Sequence, residues 1–135
     1  MWRVGTIILI ACAFVCCDSR KATNNSTENL LPKVEIATEQ TYADTVRFGV
    51  VGEGQTLMYD FAFVNKTQSP LSIIGCDTGC GCVSAEYSTK PIAKGNSAEC
   101  QLLIHTDGRA GEWSHSVEFN LSAAKYRLVL QMTVK

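Results

Sequence analysis

The stretch Leu57-Met58-Tyr59-Asp60-Phe61-Ala62-Phe63-Val64 decides the fold. Leu57, Tyr59, Phe61 and Phe63 alternate with Met58, Asp60, Ala62 and Val64, a period of two with an aromatic-rich inner face. A helix would scatter the same residues around its axis. Working outward, Ala98, Cys100, Leu102 and Ile104 repeat the rhythm. So do Trp113, His115, Val117, Phe119 and Leu121, and finally Tyr126, Leu128, Leu130, Met132 and Val134. Turn signals separate these runs: Gly52-Glu53-Gly54, Asn65 to Pro70, Lys94-Gly95-Asn96 and Asp107 to Gly111.

Seven strands are expected, over 45–50, 55–65, 70–76, 81–87, 97–106, 112–122 and 125–134. Short strands at this spacing favour an all-β, immunoglobulin-like sandwich of two sheets, with a small barrel second. The domain is assigned to residues 42–135, and Val34-Glu35-Ile36 offers a further edge strand. With 46% hydrophobic and 19% charged residues, the chain is composed like a folded globular one. A net charge of -1 gives no basic surplus for nucleic acid, so none is expected as a partner.

Residues 1–17, MWRVGTIILIACAFVCC, carry one charge, Arg3, before an apolar run from Val4 to Val15. About 12 residues is too short to span a bilayer, which takes roughly 20, and suits a cleaved secretory signal. Cysteines closing such a run resemble the lipobox of bacterial lipoproteins. Cys17 is favoured as the lipidated residue, with Cys16 and then Cys12 as alternatives. The membrane is then one partner, through the lipid, and residues 18–41 become a flexible tether. No acidic cluster follows the anchor, which points to a periplasm-facing position in the cell envelope.

Several motifs together resemble a family. Phe48-Gly49, Gly54, Phe61 to Asn65 and Pro70-Leu71-Ser72-Ile73 are followed by Cys80-Gly81-Cys82, Pro91 to Gly95 and Gly108-Arg109-Ala110-Gly111. The series is similar to the bacterial "domain of unknown function 1573" family, related to immunoglobulin-like domains of the major-sperm-protein and cilia-associated type. The resemblance covers residues 45–135 and implies an envelope protein, often lipid-anchored, with no established enzyme activity. Gly79 and Lys94 stand where that family tends to have serine and proline, and Cys76 and Cys100 are additional.

Cys76, Cys80, Cys82 and Cys100 remain once the leader is removed, and three pairings are open. Residues two apart in an extended strand have Cα atoms about 6.6 Å apart with diverging side chains, so Cys80 and Cys82 pair only if Gly81 bends the chain. Cys76 and Cys100 fall on inward faces, and a structural disulfide between them is expected. Cys80 and Cys82 then occupy a glycine-rich loop. They either pair or stay buried for structural reasons, or act as a soft-metal or thiol-exchange site in which two thiolates hold Cu(I). Zinc would need two further ligands. Of the two histidines, His105 points away from the face of Cys100, and His115 reads as a hydrogen-bonded core or rim residue. Trp113 reads as a core tryptophan, and Asp107-Gly108-Arg109 as a tight turn.

No Ser-His-Asp spacing, phosphate loop or paired carboxylates point to an enzyme. The leading functional expectation is a non-enzymatic binding or assembly module that meets another envelope protein through strand edges and end loops. The alternative is a periplasmic copper-binding or thiol-redox protein using Cys80 and Cys82.

Overall fold

Among the described residues the alternation becomes eight strands: β1 Lys33–Ile36, β2 Thr41–Val51, β3 Thr56–Asn65, β4 Ile73–Asp77, β5 Val83–Tyr87, β6 Ser97–His105, β7 Gly111–Leu121 and β8 Lys125–Val134. The structure is a computed structural model and describes residues 31–135. The leader with Cys12, Cys16 and Cys17, and the tether as far as residue 30, lie outside the described residues. The strands form two four-stranded sheets that resemble a sandwich, ordered β1-β3-β6-β5 and β2-β8-β7-β4.

The strand beyond the expected seven is β1, which lies parallel to β3 at a sheet edge, with Val34 opposite Phe63. Part of the stretch assigned to the tether is therefore paired backbone, and Ile36 is fully buried. β2 starts four residues earlier than expected, at Thr41, and runs parallel to β8. Its register shifts between Arg47 and Val50, where Gly49 holds a φ of 72°. A bulge with a left-handed residue is a place for glycine, which has no Cβ to clash.

The core is aromatic at its centre. The rings of Phe61 and Phe63 on β3 meet Phe119 on β7 at 5.6 and 5.5 Å, mostly edge to face, and Tyr126 on β8 at 5.8 and 5.3 Å. These contacts cross from one sheet to the other, so the inward faces read from the alternation do meet. Leu102, Ile104, Val117, Leu128 and Leu130 extend the packing with no exposed surface.

One buried polar residue organises a corner. Asn65 has no exposed surface; its side-chain amide donates to the carbonyls of Ser69 and Ile92, both at 2.8 Å, and its oxygen accepts from the Thr67 N–H at 2.9 Å. That satisfies a group whose burial would otherwise be costly. It also ties the β3–β4 turn to the bridge between Leu71 and Ile92.

Only short connectors carry the chain between sheets. β4 is the edge of one sheet, β5 the edge of the other, and the connector between them, Thr78 to Cys82, must cross the end of the core.

Candidate metal and redox site

The crossing connector is shaped locally. Asp77 Oδ1 accepts the Gly79 N–H at 2.9 Å, which closes a small side-chain-capped turn. Gly79 takes a φ of 66°. A Cβ placed there would touch the His115 ring at 3.4 Å, so the glycine serves both conformation and close approach. The Thr78 hydroxyl donates to the Cys80 carbonyl at 3.2 Å. At the far end the Cys82 carbonyl accepts the His105 N–H at 2.8 Å, which fixes Cys82 to β6.

Within this turn Cys80 and Cys82 form a disulfide, with Cα atoms 5.3 Å apart. The bend expected at Gly81 is real, but the left-handed residue is Gly79; Gly81 has no positive φ and open space where a Cβ would go. Cys82 is only 6% exposed and belongs to the core, while Cys80 is half-buried at its margin.

The expected disulfide between Cys76 and Cys100 is absent: both are free thiols. They stand on different sheets. Cys76 on β4 lies opposite Phe119, and Cys100 on β6 lies opposite Phe61 and Tyr87, so they look across the aromatic core. Facing sheets stand roughly 10 Å apart, so a bond between them forms only where the two backbones approach to the Cα separation of about 4.4–6.8 Å that a disulfide takes, and Cys76 and Cys100 stay unpaired. Burial, and then the Asp77 carboxylate, pushes the Cys76 thiol up from 9.0 to about 11. Burial, and then the nearby Cys76, pushes Cys100 up to about 12. Such thiols hold their protons near neutrality and are poor nucleophiles.

His115 joins the disulfide. The alternation placed it correctly on the inner face of β7, and the structure puts it under the connector. Its Nε2 hydrogen bonds to the Thr78 carbonyl. A carbonyl can only accept, so Nε2 carries the hydrogen and the lone pair of a neutral ring resides on Nδ1. The sulfurs of Cys80 and Cys82 and a ring nitrogen of His115 all lie within 4.8 Å of one another. His115 is thus both the hydrogen-bonded rim residue expected and a potential ligand. What the sequence lacked was the path of the connector, which alone brings the cysteines over β7.

The site has an aromatic flank. Trp113 stacks on His115, with centroids 5.4 Å apart and planes 19° from parallel, and the Arg109 guanidinium sits 5.9 Å from the Trp113 centroid. Trp113 is half-buried at the rim rather than in the core, and Arg109 does more than complete a turn. His105 lies apart, its Nδ1 bonded to the Thr56 hydroxyl at 3.0 Å.

Chemically, a disulfide beside an imidazole can be opened to two thiolates and a nitrogen. That donor set suits a soft cation such as Cu(I). Three donors fall short of the four of a closed zinc site.

Comparison with solved structures supports the fold alone. A chain from the Vibrio cholerae VesB protease matches 70% of this chain with a TM-score of 0.52 and 14% identity. A protein of unknown function from Porphyromonas gingivalis W83 matches 73% with a TM-score of 0.57, also at 14% identity. The matched region spans 31% and 49% of those two chains, respectively. No curated protein matches the sequence. A family profile described as "Protein of unknown function (DUF1573)" matches residues 39–135, which takes in every strand from β2 to β8 and the whole cysteine connector. The chain therefore belongs to the DUF1573 family.

Proposed function

We propose that this protein is a lipid-anchored envelope protein whose immunoglobulin-like domain carries a redox-gated site for a soft monovalent cation, with Cu(I) as the fitting ion. The observation that carries the reading is the convergence of Cys80, Cys82 and His115 within 4.8 Å. In the disulfide form the sulfurs are bonded to each other and offer no thiolate. Adding two electrons and two protons gives a dithiol, and the metal then displaces the thiol protons. Thiolates select Cu(I) over harder ions, and imidazole is compatible with it.

Two features support this over a purely structural disulfide. The bond spans a single intervening residue, so in the chain-entropy account it adds only about 1.6 kcal/mol, against about 3 for a 15-residue loop. The imidazole also lies within reach of both sulfurs, where it completes a set of three donors. The wider expectation of a binding module acting through strand edges rests on edges that any open sheet has. The metal reading rests on particular side chains.

The anchor at Cys17, the periplasm-facing position and contact with another envelope protein are parts of the proposal supported by the leader sequence. An N-terminal peptide from membranes carrying acyl chains on Cys17 would support the anchor. An unmodified Met1 on mature protein would refute it.

The test of the site is a Cu(I) titration of the mature protein before and after reduction. The reduced protein should take up one equivalent and the oxidised protein none. Cys80→Ser or Cys82→Ser should abolish uptake, and His115→Ala should weaken it at least tenfold. A reduced protein that binds no Cu(I), or a Cys80→Ser/Cys82→Ser variant that binds like the wild type, would refute the reading.

A further inference from the structure

Resting on that reading, we propose that the disulfide opens with a fixed polarity: the incoming thiol attacks Cys80, Cys82 is the leaving sulfur, and His115 relays the proton. The reductant is identified by class, a dithiol.

Access sets the direction. Attack on a disulfide sulfur requires approach along the axis of the breaking bond, from the side away from the leaving sulfur. Cys80 is the more exposed of the two cysteines and is flanked by Gly79 and Gly81, both exposed, with open space at Gly81. Cys82 is 6% exposed, packs in the main apolar cluster and is tied to β6 through its carbonyl. A nucleophile reaching Cys82 would have to displace core side chains.

The chemistry balances. The first thiol of the reductant passes its proton to His115 and attacks Cys80 Sγ. A bond forms between the two sulfurs, the Cys80–Cys82 bond breaks, and its electron pair leaves on Cys82 Sγ. His115 returns the proton there. The reductant's second thiol then attacks its own first sulfur in the mixed disulfide, and Cys80 departs as a thiol. The reductant ends as a disulfide, oxidised by two electrons, and the site ends as the dithiol that binds the metal. His115 suits the relay because a ring nitrogen lies within 4.8 Å of both sulfurs and the Thr78 carbonyl holds the ring in place. Trp113, stacked on the ring, holds its plane.

The experiment uses the oxidised wild-type protein with glutathione as probe thiol and N-ethylmaleimide as trap, followed by acid quench and peptide mapping. Glutathione should be found on Cys80 and maleimide on Cys82. The reverse pattern, or an even mixture, overturns the proposal. His115→Gln, confirmed folded by circular dichroism, should slow opening at least tenfold at neutral pH and leave the adduct on Cys80. An unchanged rate removes the relay. Cu(I) uptake after chemical reduction reads the metal site separately, so a failed polarity and a failed metal site give different results.

Discussion

At the level of single residues, the two glycines of the connector behave differently. Gly79 is left-handed and its hydrogen faces the His115 ring, whereas Gly81 is in open space without a positive φ. Gly79→Ala should cost about 1–2 kcal/mol in denaturant titration. Gly81→Ala should stay within about 0.5 kcal/mol. The free thiols make a second contrast. Cys76 and Cys100 are raised to about 11 and about 12 in the fold, while the unfolded chain ionises them near 9. Between those values the unfolded chain binds fewer protons, so their contribution is full below about pH 9 and is lost as pH rises toward 12. Tyr126, raised by its burial and by Asp44, adds to the same loss above its own unfolded value. Thermal melts across alkaline pH should therefore fall steeply, and Cys100→Ala should flatten the decline.

Among the elements, β3 is the strand on which the sheets meet. Phe61 has no exposed surface and its ring touches Tyr59, Phe63, Phe119 and Tyr126. Phe61→Ala should cost about 3–5 kcal/mol by chemical denaturation, through lost contacts and the cavity left behind. β3, β6, β7 and β8 were legible because each is half-buried over nine or more residues, long enough for period-two alternation to show. β1 is four residues with one buried side chain, so its pattern is too short to separate from a polar tether, and β2 is an edge strand with few inward residues. The cysteine pairing was misread for a related reason. Alternation tells which face a residue occupies, and both Cys76 and Cys100 do face inward, but it carries no distance between facing sheets. The reach of His115 to the cysteines was hidden likewise, because it depends on where a five-residue connector crosses the end of the core.

For the molecule as a whole, the site lies where the fold can spare it. The sheets are held by the aromatic core and by Asn65, not by the disulfide, so opening the bond should leave the domain folded. Reducing it, or making Cys80→Ser/Cys82→Ser, should lower stability by no more than about 2 kcal/mol, with far-ultraviolet dichroism unchanged. Asn65→Ala should cost more, because it removes a fully buried amide that donates to the carbonyls of Ser69 and Ile92 and accepts from the N–H and hydroxyl of Thr67. A domain that keeps its shape through a redox cycle can close and open the proposed cation site without refolding. The most direct measurement is X-ray absorption at the copper edge of the reduced protein loaded with one equivalent of Cu(I). The account predicts a shell of two sulfurs and one nitrogen, with the nitrogen lost in His115→Ala; a shell of only oxygen and nitrogen, or copper that washes away, would contradict it.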